Sequence, residues 1–373
     1  MQLKIFIIMN VKFVNLKRQY QQDKSEILKS IDNVSKKGDF ILGNTLEKFE
    51  QRFSSFCDTK YSIGLNSGSD ALFLYLKSLN LNKEDEIIIP SLSFVATAWA
   101  AGNSGAKLVY CDVGEDMNID PTKLENCITK KTKVIMPVHL TGRVCDMKKI
   151  KHICDKYKII LLEDSAQAFG AKYYKKMAGS FGDVAAFSLH PLKILNVIGD
   201  GGILTTNKKK IANKIKLLRN HGLKNQDSIL WGYNSRLDNI QAAVGNVKLN
   251  KIKKRIKLNQ KFASIYNSEL SNYLITPKVN EYEEPVFHRY IVHIDKNYRT
   301  KFKNFLLKNK IETRINYGIP LHLQKSSSYL EYKKGSLPVS EKLSKTMLSL
   351  PLYPELNINE IEFIVKKIKS YFK

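Results

Sequence analysis

The stretch F-S-L-H-P-L-K-I-L-N-V-I-G-D-G-G, residues 187–202, decides the fold because it sets one lysine in a tight connection between two apolar runs. Pro191 breaks regular structure just before Lys193, and a glycine-rich turn follows. The flanking runs are typical of buried strands. We therefore expect the backbone to fix the direction of Lys193. A solvated lysine on the surface is the alternative.

Upstream of this connection, short apolar runs alternate with helical patterns. Predicted strands lie at 61–65, 86–90, 107–111, 134–139 and 159–162, with a helix at 147–157. This alternation predicts an α/β fold with a mainly parallel sheet covered by helices on both faces. Ligands of such sheets bind at the carboxyl ends of the strands, so polar residues that follow strands are expected to converge there.

The chain length predicts two unequal domains. We expect an N-terminal arm at 1–20, a large domain at 21–250 and a smaller α+β domain at 251–373, and the first eight residues read as an upstream extension. Further predicted elements are a basic helix at 207–225, a long helix opening at 231–243 and running to about 270, a strand near 289–295, and helices at 299–309, 339–346 and 358–372.

Composition limits the classes of function. The 373 residues include 61 Lys and Arg against 35 Asp and Glu, a formal net charge of +26. These lysines are scattered, so a basic surface that attracts anionic substrates is favoured over a nucleic-acid binder. The five cysteines form no C-x-x-C pair, which predicts no metal site and a reducing, cytoplasmic compartment. No apolar run approaches the roughly 20 residues of a membrane-spanning helix.

Polar residues at fixed places around Lys193 indicate an aldehyde cofactor with a ring nitrogen and a phosphate. A lysine amine forms a Schiff base with such an aldehyde. A carboxylate such as Asp164 keeps a pyridine nitrogen protonated, which makes the ring an electron sink. The hydroxyl groups of Ser69 and Ser188 suit the phosphate, and N-S-G-S-D-A-L at 66–72 predicts a helix N-terminus that binds anions.

Several motifs in order resemble one family. They are N-S-G-S-D-A-L, P-V-H-L-T-G-R, E-D-S-A-Q-A-F-G, F-S-L-H-P-L-K with G-D-G-G, and G-Y-N-S-R-L-D-N-I-Q-A-A. The chain is similar over nearly its whole length to the DegT/DnrJ/EryC1/StrS nucleotide-sugar aminotransferases. The resemblance implies fold type I, pyridoxal 5′-phosphate (PLP) as cofactor and a homodimer. Thr141 departs from the tyrosine of most relatives.

The resemblance also implies roles for individual residues. Lys193 would form the Schiff base and move protons, Asp164 would pair with the ring nitrogen, and Gln167 would touch the ring hydroxyl. Phe94 would stack on the ring unless it is part of the core. The phosphate end would be held by Ser69, Asp70 and Ser188.

Four further residues are implied outside this group. Asn234 would reach the phosphate in the neighbouring subunit, which makes the active site composite. Arg236, Tyr317 and His322 would contact the substrate. Arg236 has the alternative of an ion pair with Asp238, and His322 that of packing.

The activity implied is transamination from L-glutamate to a nucleotide-linked keto sugar. Because relatives with G-D-G-G and N-S-R-L-D act on 3-keto sugars, a dTDP-linked 3-keto-6-deoxyhexose for a surface glycan such as O-antigen is expected. A 4-keto sugar linked to dTDP, UDP or GDP is the alternative. Related dehydratases carry histidine in place of the lysine, so Lys193 argues against that chemistry.

Overall fold

The computed structural model describes residues 9–373, so the predicted upstream extension at 1–8 lies outside the described part. The helices are α1 Leu16–Lys37, α2 Asn44–Phe56, α3 Gly68–Ser78, α4 Val95–Gly102, α5 Pro121–Leu124, α6 Met147–Tyr157, α7 Lys209–Leu218, α8 Asn239–Leu270, α9 Lys296–Lys308, α10 Pro338–Thr346 and α11 Ile358–Tyr371. Within these bounds, no helix combines the length and the apolar character needed to cross a membrane.

Fourteen strands accompany the helices in this part of the chain. They are β1 Tyr61–Leu65, β2 Glu86–Pro90, β3 Lys107–Cys111, β4 Thr132–Ile135, β5 Ile160–Asp164, β6 Lys172–Tyr173, β7 Lys176–Met177, β8 Val184–Ser188, β9 Gly202–Thr206, β10 Leu223–Lys224, β11 Asp227–Ser228, β12 Glu283–Glu284, β13 Tyr290–His293 and β14 Met347–Leu350.

Seven strands form the central sheet in the order β1-β9-β8-β5-β4-β2-β3. The strands from β8 to β3 pair in parallel, which confirms the predicted α/β sheet. β9 runs antiparallel to both of its neighbours, β1 and β8. The reversal follows from the Lys193 connection, because its 13 residues return the chain beside β8 without a crossover helix.

The predicted bounds of three elements are wrong by four residues or more. β4 ends at Ile135 instead of 139, since Val138 pairs with Asp164 only as an isolated bridge. The basic helix covers only α7, and the long helix α8 begins at Asn239 instead of 231. Between these two helices, Asn220 and Asn234 form an antiparallel bridge, which closes the intervening chain into a loop that contains the β10–β11 hairpin.

The sheet is buried on both faces, as its apolar strands require. In β2, Ile88 points into one core while Ile87 and Ile89 point into the other. On the Ile88 side, α2 packs Phe53 edge-on against Phe187 of β8, with ring centroids 5.1 Å apart. The strand that leads into the Lys193 connection is thereby fixed from one face.

α8 links the sheet to a third core built from the C-terminal part of the chain. Ile256 belongs to a core of the sheet, whereas Phe262 and Tyr266 belong to the third core. The ring of Tyr266 lies 4.9 Å from that of Tyr290 in β13. The boundary between the large and the small domain at residue 250 remains a prediction.

A buried ion pair fixes β1, the strand at one edge of the central sheet. Arg219 Nη1 donates to Glu50 Oε1 at 2.5 Å and to the Gly64 carbonyl at 2.9 Å. The Gly64 N–H donates to the same carboxylate oxygen at 2.7 Å. Both charged side chains are buried, so each depends on the other for compensation.

We expect Arg219→Met to lower the free energy of unfolding by about 3–5 kcal/mol, because it leaves the Glu50 carboxylate buried without its cation. Urea unfolding followed by circular dichroism measures the loss. Glu50→Gln/Arg219→Met is expected to lose less, since no buried charge remains. The exposed Lys131–Glu84 pair gives a control, for which Lys131→Met changes little. A stable Arg219→Met protein would contradict this expectation.

Candidate active site

A cleft of about 320 Å³ opens at the carboxyl ends of the sheet strands, a volume at the lower end for small-molecule sites. It brings together seven of the residues expected from the sequence: Ser69, Phe94, Asp164, Gln167, Ser188, Lys193 and Tyr317. These residues come from both the sheet and the C-terminal part of the chain. The cleft therefore lies between the two.

Lys193 projects from the connection between β8 and β9. Its N–H donates to the His190 carbonyl at 2.8 Å, and the Asn196 side chain donates to the Pro191 carbonyl and to Gln19 of α1. Burial, aided by the charge of Arg289, lowers the pKa of Lys193 to about 8. A substantial fraction of the amine is therefore neutral near pH 7 to 8, as a nucleophile requires.

Asp164 ends β5 and is 4% exposed. Its Oδ2 accepts a hydrogen bond from Thr97 Oγ1 at 2.8 Å, and its Oδ1 accepts one from the Ala166 N–H at 3.2 Å. Burial raises the pKa of Asp164, while these two donors act in the opposite direction. A buried carboxylate of this kind is stabilised by a cationic ring nitrogen placed against it.

A second buried pair lies directly behind Asp164. His139 Nε2 is 2.9 Å from Glu163 Oε2, and both side chains are completely buried. The backbone N–H of His139 donates to the backbone carbonyl of Asp164 at 3.0 Å. The other oxygen of Glu163 accepts from the N–H groups of Phe181 and Gly182. The end of β5 is thus held from behind, which fixes the carboxylate of Asp164 in the cleft.

The phosphate end expected from the sequence forms at the start of α3. Ser67 caps the helix by accepting from the Asp70 N–H at 3.0 Å. A Cβ on Gly68 would lie 2.8 Å from Ser188 Cβ, and one on Gly202 would lie 2.1 Å from the Ser67 carbonyl oxygen. Only glycine permits this approach, which brings Ser188 beside the helix N-terminus where backbone N–H groups bind anions.

Gln167 and Tyr317 form one wall of the cleft. Gln167 Oε1 accepts from the Thr141 N–H at 2.9 Å, and its Nε2 donates to the Tyr317 hydroxyl at 3.3 Å. Phe94 is 51% exposed, with its ring 5.9 Å from that of Tyr317. The ring of Phe94 is therefore open to a planar ligand and is not part of the core.

Four expected residues lie outside this cleft. The Asp70 carboxylate accepts from the Ser235 hydroxyl at 2.6 Å, and Arg236 donates to Asn220 Oδ1 at 2.9 Å instead of pairing with Asp238. Asn234 is exposed.

His322 is 2% exposed and lies 3.2 Å from Glu341, with its ring packed near that of Tyr110. Packing, the alternative considered for His322, is the role that the structure gives it.

The cleft also contains functional candidates that the sequence reasoning missed. Thr97 lies three residues after Phe94 at the start of α4, so its place on the same sheet edge was a usable signal. Arg289 precedes β13 in the run H-R-Y-I-V-H and carries no local signal, because only the tertiary fold brings β13 to the cleft.

Comparison with known families decides the family, since residues 21–369 match the DegT/DnrJ/EryC1/StrS aminotransferase family. The chain belongs to the DegT/DnrJ/EryC1/StrS aminotransferase family. Members of this family use PLP, which confirms the cofactor expected from the sequence.

Individual DegT/DnrJ/EryC1/StrS relatives match almost end to end. A protein named pleiotropic regulatory protein from Geobacillus stearothermophilus is 38% identical over 98% of this chain and 99% of its own length. The dTDP-3-amino-3,6-dideoxy-alpha-D-galactopyranose transaminase of Aneurinibacillus thermoaerophilus is 37% identical over 97% and 99%.

Among solved structures, S. venezuelae DesV in complex with a ketimine intermediate has a TM-score of 0.94 and 33% identity. The match covers 97% of this chain and 98% of that one. This DegT/DnrJ/EryC1/StrS chain therefore shares the fold type I architecture throughout its length.

The cleft fits PLP on its own chemistry. Lys193 would offer an amine of lowered pKa to the aldehyde, and Asp164 would offer a buried carboxylate to the ring nitrogen. The N-terminus of α3 with Ser69 and Ser188 would hold the phosphate, while Phe94 and Gln167 would contact the ring. The residue types match the three polar groups of the cofactor.

We expect Thr97→Val to weaken PLP binding by about 10-fold, because a hydrogen bond to the Asp164 carboxylate is lost. Without that donor the pKa of Asp164 rises further. Affinity for PLP is then lost at a higher pH than in the wild type as the pH falls. Absorbance titrations of cofactor-free protein across the pH range measure both effects. Thr97→Ser keeps the donor and serves as the control, and identical curves for all three proteins would contradict the assignment.

Proposed function

We propose that the protein transfers the amino group of L-glutamate to the keto carbon of a nucleotide-linked sugar, namely a dTDP-linked 3-keto-6-deoxyhexose. The observation that carries this proposal is the cleft in which Lys193 and Asp164 meet, in a chain whose relatives are nucleotide-sugar aminotransferases. Overall, L-glutamate becomes 2-oxoglutarate and the ketone becomes an amine, so the amino group and the keto oxygen exchange places.

Bound PLP supplies the electron sink for both half-reactions. Lys193 Nζ would take the α-proton of the amino acid and pass it to the cofactor within the first half-reaction. In the second it would deliver a proton to the sugar carbon that carried the ketone, since a pKa of about 8 lets the amine act as both base and acid near neutrality. The Asp164 carboxylate would stabilise the positive charge on the ring nitrogen of bound PLP. Its burial at the end of β5 keeps water from screening that interaction.

Two observations support a ketone at C3. This chain has G-D-G-G at 199–202 and N-S-R-L-D at 234–238. The relative from Aneurinibacillus thermoaerophilus is named for a 3-amino sugar linked to dTDP. The alternative is a 4-keto sugar linked to dTDP, UDP or GDP, and the position of the new amine separates the two.

The active site is proposed to be composite, with Asn234 reaching the phosphate of PLP in a partner subunit. Asn234 is exposed and lies outside its own cleft. Its neighbours Ile229 and Trp231 are 50% and 93% exposed, which is unusual for large apolar side chains unless another surface covers them. A homodimer would bury both and present Asn234 to the other cleft.

The proposed reaction belongs to surface-glycan synthesis, such as that of lipopolysaccharide O-antigen, in the cytoplasm. All five cysteines are free thiols, which is typical of a reducing compartment. The net charge of +26 favours association with an anionic nucleotide sugar over long range.

The test is to incubate PLP-loaded protein with L-glutamate and, separately, dTDP-3-keto and dTDP-4-keto 6-deoxysugars. We expect a product mass that shows one amine in place of the ketone, with NMR placing it at C3. Lys193→Ala is expected to lose the visible absorbance of the lysine-bound cofactor and at least about 1,000-fold in turnover. Amination at C4 would overturn the choice of sugar, and full turnover by Lys193→Ala would overturn the mechanism.

Mixing Lys193→Ala with Asn234→Ala tests the composite site. Each homodimer lacks one required group in both of its clefts, so both are impaired. A mixed dimer places both substitutions in one cleft and leaves the other intact, which restores about a quarter of wild-type activity after random subunit exchange. Native mass spectrometry first confirms that mixed dimers have formed, and activity no greater than the sum of the two variants would then contradict the proposal.

A further inference from the structure

Arg289 enters the cleft from the C-terminal part of the chain, immediately before β13. It lines the cleft together with Lys193, Asn316 and Tyr317. The neighbouring Tyr290 is fully buried against Tyr266 of α8, which anchors the backbone that carries the guanidinium group. The fold therefore holds the Arg289 side chain in the part of the cleft that contains Lys193.

The guanidinium group of Arg289 has no acidic partner within the described residues 9–373. Its side-chain hydrogen bond goes to the carbonyl oxygen of His288 at 3.5 Å, which is the outer limit for such a bond. The face of the Phe13 ring lies 5.1 Å from the guanidinium carbon. Four other arginines each pair with a glutamate: Arg18 with Glu360, Arg143 with Glu283, Arg219 with Glu50 and Arg255 with Glu355.

An unpaired guanidinium group in a sheltered cleft is costly until an anion binds it. Burial lowers the pKa of Arg289, which reflects that cost. The nearby Asp164 is already bonded to Thr97 and Ala166 and faces the ring-nitrogen position. The phosphate end belongs to the N-terminus of α3 and Ser188, on the sheet side of the cleft. The anion that Arg289 binds is thus a further group, brought in by a substrate.

We propose that Arg289 binds the α-carboxylate of the amino donor and so selects amino acids over simple amines. This inference rests on the proposed transamination, because only that reaction brings an amino acid to Lys193. A planar guanidinium group binds a carboxylate with two parallel hydrogen bonds, which orients the donor as well as holding it.

Binding of a carboxylate to Arg289 also changes the pKa of the neighbouring Lys193 amine. The positive charge of Arg289 lowers the pKa of Lys193 in the free protein. A bound carboxylate neutralises that charge, so the pKa of Lys193 rises while the donor is present. The amine is therefore more basic when it must take the α-proton than when the cleft contains no donor.

The experiment measures the two half-reactions separately in Arg289→Gln, Arg289→Lys and the wild type. For the PLP-loaded protein, stopped-flow absorbance gives the apparent Kd for L-glutamate. We expect Arg289→Gln to raise it by about 10- to 100-fold, as for loss of a charged hydrogen-bonded partner, with part restored by Arg289→Lys. Each protein is then loaded with pyridoxamine phosphate, the amine form of the cofactor, and mixed with the keto sugar nucleotide. The rate of this half-reaction in Arg289→Gln is expected to stay within about threefold of the wild-type rate.

Two further readouts separate binding from general damage. Glutarate, a dicarboxylate that cannot react, is titrated by calorimetry into the PLP-loaded protein, and its binding is expected to be lost in Arg289→Gln. 4-Aminobutyrate lacks the α-carboxylate, so the wild type should prefer L-glutamate over it and Arg289→Gln should lose that preference. Arg299→Gln is the matched control, since Arg299 is a partly buried arginine that donates to the Ser344 carbonyl far from the cleft.

Each outcome decides the inference. An unchanged Kd for L-glutamate with unchanged glutarate binding in Arg289→Gln overturns it. A defect confined to the keto-sugar half-reaction also overturns it and assigns the anion to the nucleotide sugar. If the wild type does not react with L-glutamate at all, the proposed function fails, while glutarate binding that depends on Arg289 still supports a carboxylate site.

Discussion

The structure depends on the burial of two opposite charges at the same sheet edge. Asp164 and Lys193 line the same cleft, where burial raises the pKa of Asp164 and lowers that of Lys193. Each group is thereby less stable in its charged form than it would be in water. A cofactor that offers an aldehyde to the amine and a protonated nitrogen to the carboxylate relieves both costs at once. Relief of these two costs therefore contributes to the free energy of PLP binding.

Holding charged groups in that state requires support from behind. The buried pair of His139 and Glu163 fixes the end of β5, and Thr97 orients the Asp164 carboxylate from α4. These supports carry no chemistry of their own. Thr97 comes from helix α4, whereas Glu163 precedes Asp164 on β5 and so points to the opposite face of the sheet. The support therefore requires both faces of the sheet to be covered.

Much of the site could be predicted from the sequence, because its groups follow strands in chain order. Parallel strands bring their carboxyl ends to one edge, so Ser69, Asp164 and Lys193 were expected to meet. The end of β4 was predicted too late, because its apolar run continues past the point where backbone pairing stops. The start of α8 was predicted too early, because Asn234 pairs with Asn220 and keeps the residues before Asn239 out of the helix. Arg289 lay beyond such reasoning, since its place in the cleft depends on packing between β13 and α8. His322 shows the converse, a histidine near other motifs that the fold buries.

The 32 residues of α8 form a rod about 48 Å long that spans the sheet core and the C-terminal core. Its first residues follow the segment that carries Asn234, and Tyr266 near its far end packs against Tyr290, the first residue of β13 and the neighbour of Arg289. A continuous helix does not bend sharply without a break in its hydrogen bonds. One uninterrupted helix therefore sets the distance between the segment that carries Asn234 and the part of the chain that places Arg289 in the cleft.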